Sequence, residues 1–154
     1  MSETSVTSLL QAADGSFVPV GEWDGEFEDP DHIDGAIVLS VDGEVFFDES
    51  LWDLVDQLWA YILNMLEELG EKDSVKTFFP DQPVELVFRR IGGGRLVISV
   101  DTGWRTKRTL QVDEADFARA LLGGAEEFFT GMERLLPGRY GYQLDQLGRL
   151  KNRW

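Results

Sequence analysis

The sequence predicts an α+β domain: an antiparallel sheet of about five to six strands, two hairpins plus an added strand, with two long amphipathic helices packed on one face. Three observations carry this. Residues 49–70 and 114–136 both show helical periodicity over a helix-sized run. Two turn signals, Asp42-Gly43 and Gly92-Gly93-Gly94, each separate a pair of extended runs. The resulting order, β-β-β-α-β-β-β-α, groups strands before each helix instead of alternating them singly as a βαβ sheet requires. At 154 residues the chain is the size of one domain, 1–154. Such a chain buries about 68–70% of its unfolded surface without staples, and this one has no cysteine.

In chain order, residues 2–14 show little pattern, so 1–15 are expected to be a mobile or loosely attached terminus. Residues 16–23 suit an edge strand, because Pro19 has no N–H to give a ladder. Residues 22–34 then read as a loop with seven acids in thirteen positions, interleaved with Trp23, Phe27 and His32.

Residues 35–48 are the clearest hairpin. AIVLSV and EVFFD flank Asp42-Gly43, a pair suited to a type I′ turn in which both residues take φ > 0. The second strand leads into the first helix, residues 49–70. There Leu51, Leu54, Val55, Leu58, Trp59, Ile62, Met65, Leu66 and Leu69 share one side, with Trp52, Tyr61 and Leu63 at its margins. Asp53, Asp56, Gln57, Ala60, Asn64, Glu67 and Glu68 lie opposite. The apolar arc spans about 200°, wider than a surface helix needs, so this helix packs against a sheet and a second element. Asp48 or Ser50 is the expected cap, with Ser50 and Asp53 forming a capping box and Gly70 at C′.

Residues 71–83, with Phe78, Phe79, Pro80 and Pro83, are expected to be a connection folded over an edge of the core. In the second hairpin, alternation directs Val84, Leu86, Phe88, Leu96, Ile98 and Val100 inward. After Thr102-Gly103-Trp104, a further strand from Arg105 points Leu110 and Val112 inward. Asp113 caps the second helix, residues 114–136, and Pro137-Gly138 ends it. Gly123-Gly124 inside that helix costs stability relative to alanine, which points to a close approach by a neighbouring element. The tail, 139–154, is basic through Arg139, Arg149, Lys151 and Arg153, and suits a short helix returning onto the acidic half.

That half is defined by charge. The net charge is −15, and residues 1–73 hold 19 acids against the single base Lys72, giving −18, while the remainder sums to +3. Such a field disfavours direct nucleic-acid binding, whose phosphates require lysine and arginine. It favours a basic protein partner by steering its approach. The first residues lack the basic and apolar regions of a secretory signal, and no apolar run approaches the ~20 residues that cross a bilayer. With cysteine absent, the expectation is a cytoplasmic protein without a membrane partner.

The candidate chemistry is thin. His32 is the only imidazole, and a nucleophilic relay through it needs a serine such as Ser40 or Ser99 brought near by the fold. Residues 29–35 resemble a calcium loop only superficially: counted from Asp29, Ile33 holds position 5, Asp34 the glycine position and Ser40 position 12. No metal or cofactor is expected. Gly92-Gly93-Gly94 lacks the following helix and Lys-Ser/Thr of a phosphate cradle. Arg89, Arg90, Arg95, Arg105, Lys107 and Arg108 suit intramolecular pairing with the acidic half better than RNA. What remains is aromatic anchors ringed by charge: Glu22, Trp23, Asp24, Glu26, Phe27, Glu28, Asp29 and Asp31. Aromatics supply buried area at an interface and charge supplies rate and selectivity.

In size, charge and element order the chain resembles cytoplasmic immunity proteins of bacterial toxin systems. That resemblance implies a non-enzymatic protein that neutralises a basic toxin or enzyme by occlusion at the acidic loop. The charge leaves two alternatives. One is a nucleic-acid mimic that blocks a DNA-binding protein through a regular acidic array on the first helix. The other is a regulatory or housekeeping domain whose acidity serves solubility.

Overall fold

The computed structural model describes residues 3–103 and 106–154. Trp104 and Arg105, expected in a turn and a strand, lie outside the described residues. The fold is α+β, with two antiparallel sheets of five and four strands and three helices, where one sheet of five to six strands was expected. The extra strands are Thr4–Gln11, Asp53–Leu54 and Ser74–Phe78, segments whose own patterning is weak.

The first sheet contains β1 (Thr4–Gln11), β2 (Phe17–Pro19), β3 (Asp34–Val41), β4 (Glu44–Phe47) and β5 (Asp53–Leu54), ordered β2-β1-β3-β4 with β5 also on β3. β1 replaces the expected loose terminus. It is a central strand, in register with β3 from Thr4↔Val41 to Leu10↔Gly35. Its inward positions mix apolar and hydroxyl groups, which hides the alternation: Ser8 is buried, and its Oγ accepts a hydrogen bond from Trp59 Nε1 at 2.9 Å. The β3–β4 turn has Asp42 at φ 52° and Gly43 at φ 81°, as a type I′ hairpin demands.

The second sheet is a meander of β6 (Ser74–Phe78), β7 (Glu85–Gly92), β8 (Arg95–Asp101) and β9 (Lys107–Asp113). β6 occupies the stretch expected to be a connection. Leu86, Phe88, Leu96, Ile98, Val100 and Val112 are buried, as the alternation requires. The sheets approach at β4 and β9, where Arg108 Nη1 donates to the Val45 carbonyl at 2.7 Å. Phe47 and Phe79 meet edge to face at 5.9 Å.

Helix α1 (Val55–Glu68) starts later than expected. Asp48 does act as a cap, but of a short 3-10 turn, Glu49–Leu51, by accepting from Ser50 N at 2.9 Å. The chain then extends through β5, so the Ser50–Asp53 capping box does not form and α1 has no side-chain cap. Its other end is closed by a cation. Arg153 Nη1 donates to the carbonyls of Leu66 and Glu67, at 3.3 and 3.0 Å, placing its charge at the negative end of the helix. Gly70 is not in the left-handed region; it makes room, since a Cβ there would lie 2.4 Å from Arg153 Nη1.

Helix α2 (Glu114–Leu135) is capped as expected, with Asp113 accepting from Asp116 N at 3.0 Å. It packs on β1, and a Cβ at Gly124 would lie 2.5 Å from Val6 Cγ1. The tail forms helix α3 (Gly141–Leu150), which docks on α1 and α2. Gln146 Nε2 donates to Asn64 Oδ1 at 2.9 Å, and Arg149 pairs with Glu67 at 3.2 Å. No described helix is long and apolar enough to cross a membrane.

Candidate functional site

The acidic loop is pinned at both ends by buried apolar side chains. Val20, in a 3-10 turn at Val20–Glu22, and Ile33, just before β3, are both buried, so the polar chain between them arches outward. With the β1–β2 turn it encloses a cleft of about 450 Å³. Trp23 and Phe27 form one wall, their rings stacked at 5.3 Å and 11°. Both are half-buried against the core, so they line the cleft instead of protruding as anchors. Gly25 crosses the edge of the indole, and Trp23 Nε1 is enclosed without a hydrogen-bond partner among the described residues.

The eight expected site residues divide. Trp23, Glu26, Phe27, Glu28 and Asp29 line the cleft together with His32, Asp34 and the β1–β2 turn. Glu22 and Asp24 are exposed but lie outside its walls. Asp31 faces away into an ion pair with Arg139, whose Nη2 also donates to the Pro30 carbonyl at 3.1 Å. Asp29 shapes the loop by accepting from Asp31 N at 3.0 Å. Among the described residues, no cation of the chain pairs with Glu26, Glu28 or Asp29.

His32 Nε2 lies 3.2 Å from Asp34 Oδ1, and this pair is shared with a second cavity of about 300 Å³. Trp52, Asp53, Asp81 and Gln82 complete it. Trp52 is 44% exposed, whereas Asp53, expected on the solvent side of the first helix, is 3% exposed. The Asp53 carboxylate accepts from Leu54 N at 2.7 Å and from Asp81 N at 3.1 and 3.2 Å. Burial pushes its carboxyl above the usual range, and the nearby Asp81 and Asp34 charges add to that. Residues 52, 53, 81 and 82 carried no local signal, because the late start of α1 and the pairing of the 79–83 turn are both long-range.

Among the described residues, no hydrogen bond links the His32 side chain to a serine. Ser50 shares the second cavity with His32, but its hydroxyl donates to Asp48 Oδ1 at 2.6 Å. Ser40 and Ser99 are in β3 and β8, within the ladders of two different sheets. Among the described residues no group of three or more acids and histidine could hold a metal ion.

No protein-family model, curated protein or solved structure matches the chain. Several charges outside the cleft are engaged within the fold. Arg90 grips Glu114 through two hydrogen bonds of 2.7 and 3.0 Å and approaches Asp73 at 3.7 Å. On α1, Asp56 accepts from Tyr140 OH at 2.9 Å, and burial raises both groups above their ordinary ranges. Glu67 meets Arg149 and Gln146, and Glu68 lies 3.8 Å from Lys72. The regular acidic face that a nucleic-acid mimic would present on this helix is therefore covered or paired. Free carboxylates beside aromatic faces occur instead at the cleft, and these are groups that hold a cation by charge and by π-stacking together.

Proposed function

We propose that this chain is a non-enzymatic acidic binding module of the immunity type, which neutralises a basic toxin or enzyme by covering its working surface. The observation that supports it is the cleft itself: Glu26, Glu28 and Asp29 surround the stacked Trp23–Phe27 pair without an internal counter-ion among the described residues. The partner's own cation supplies the missing charge, and the −18 of residues 1–73 steers it in. On this reading the protein acts in the cytoplasm, with no cofactor, membrane or nucleic acid involved. The engaged acids of α1 favour this reading over a nucleic-acid mimic.

The test is affinity capture by the wild-type protein and by the Glu26→Lys/Glu28→Lys variant, at low and moderate salt. A basic protein retained at low salt, released as salt rises, lost from the variant and inactivated stoichiometrically when purified is the expected result. Identical captures by both proteins would move the interface elsewhere, and capture of nothing would reduce the acidity to a solubility device.

A further inference from the structure

We infer that the occupant of this surface is an extended segment of the basic partner carrying two arginines, one for each of the two cavities that meet at His32 and Asp34. The inference rests on the binding role proposed above and specifies what enters. The cavities adjoin, because the His32–Asp34 pair lines both. The Trp23–Phe27 wall belongs to the one and Trp52 to the other, so a single segment crossing the His32–Asp34 pair would meet both.

Each compartment offers the same two elements. The first has the stacked aromatic pair with Glu26 and Glu28; the second has the exposed face of Trp52 with the exposed carboxylate of Asp81. A guanidinium is planar, weakly hydrated and forked, so it stacks on an aromatic face while bridging to a carboxylate. An ammonium, compact and strongly hydrated, gains less from the same surroundings. The second compartment is also built rigidly. Asp53, under its floor, binds the main-chain N–H of both Leu54 and Asp81, and Gln82 Nε2 donates to the Trp52 carbonyl. Trp52 and Asp81 are thereby held together before anything binds, which lowers the ordering cost of association. An extended chain suits two adjacent compartments because alternate residues project to one side at about 6.6–6.8 Å spacing.

The experiment titrates the full chain with glycine-serine peptides bearing two arginines, one arginine or two lysines, at low and moderate salt. The two-arginine peptide should bind roughly tenfold or more tightly than either other peptide, as linked contacts do. Trp52→Ala, at an exposed position whose folding is checked by circular dichroism, should reduce it to the one-arginine level and weaken the one-arginine peptide, which keeps the first compartment, by no more than about twofold. Equal binding of one- and two-arginine peptides, equal binding of lysine peptides, or no peptide binding would overturn the inference. Binding that ignores Trp52→Ala but falls with Glu26→Gln/Glu28→Gln would overturn the second compartment and leave the proposed function standing. Binding that ignores both changes would remove the two together.

Discussion

Gly123 and Gly124 are adjacent in α2 yet have opposite surroundings. A Cβ on Gly124 would strike Val6 Cγ1 at 2.5 Å and lie 3.3 Å from Trp59 Cη2; one on Gly123 would meet nothing within 4 Å. Gly124→Ala is therefore expected to cost about 1–3 kcal/mol through overpacking, and Gly123→Ala to gain about 0.5–1 kcal/mol of helix propensity. Urea melts of the two variants should move in opposite directions. Glu114 gives a second prediction. Its hydrogen bonds from Arg90 hold its carboxyl below the ordinary glutamate range. The folded state thus releases this proton more readily than the unfolded chain, and the stabilisation exists above the ordinary range and fades as pH falls through the folded value. Glu114→Gln should cost about 1–3 kcal/mol near neutrality, with the two melting curves converging in acid. Residues whose roles are set locally, such as Asp113 at its cap and Asp42-Gly43 in its turn, were legible in sequence. Asp53 was not, because its partner is the amide of a residue 28 positions away.

At the scale of elements, both hairpins, α2 and the C-terminal helix were legible because turns, caps and periodicity are short-range signals. β1 and β6 were missed for a common reason: each needs a partner strand to declare it. In β1 the inward row includes Ser8, and in β6 only Val75 is buried. The first helix was recognised but its start was misplaced, since the Asp48 cap serves a 3-10 turn and β5 intervenes. Its central role is testable. Leu58 is 1% exposed, and Leu58→Ala should cost about 2–5 kcal/mol in chemical denaturation. A change within about 0.5 kcal/mol, typical of surface sites, would show that α1 is not a load-carrying part of the core.

Across the whole molecule, each half of the chain builds a strand-rich sheet and then a helix, and the basic half is stitched to the acidic half by Arg90 to Asp73, Arg139 to Asp31 and Arg149 to Glu67. The charge asymmetry in the sequence therefore survives folding only in part, and Glu26, Glu28 and Asp29 are among the acids that no cation of the described residues pairs. Glu26→Lys/Glu28→Lys should leave the denaturation midpoint nearly unchanged, both side chains being exposed. The same change should slow association with a basic partner and flatten its dependence on ionic strength, as read by stopped-flow mixing. The first cleft was half visible in sequence through its aromatics and acids. The second was invisible, because Trp52 and Asp81 come together only through tertiary pairing.

Two separate sheets end in outer strands, here β2, β6, β9 and, along the far side of β3, β4 with the two-residue β5, and an open outer strand is a template on which a foreign chain can add. Here β4 and β9 face one another across the Arg108–Val45 bridge, so each occupies the other's approach. β2 is three residues long and ends in Pro19, which offers no N–H. β6 is short and carries Lys76, a charge that discourages stacking of like chains, and β5 is two residues long. The two sheets together thus leave little open strand edge on which a foreign chain could add.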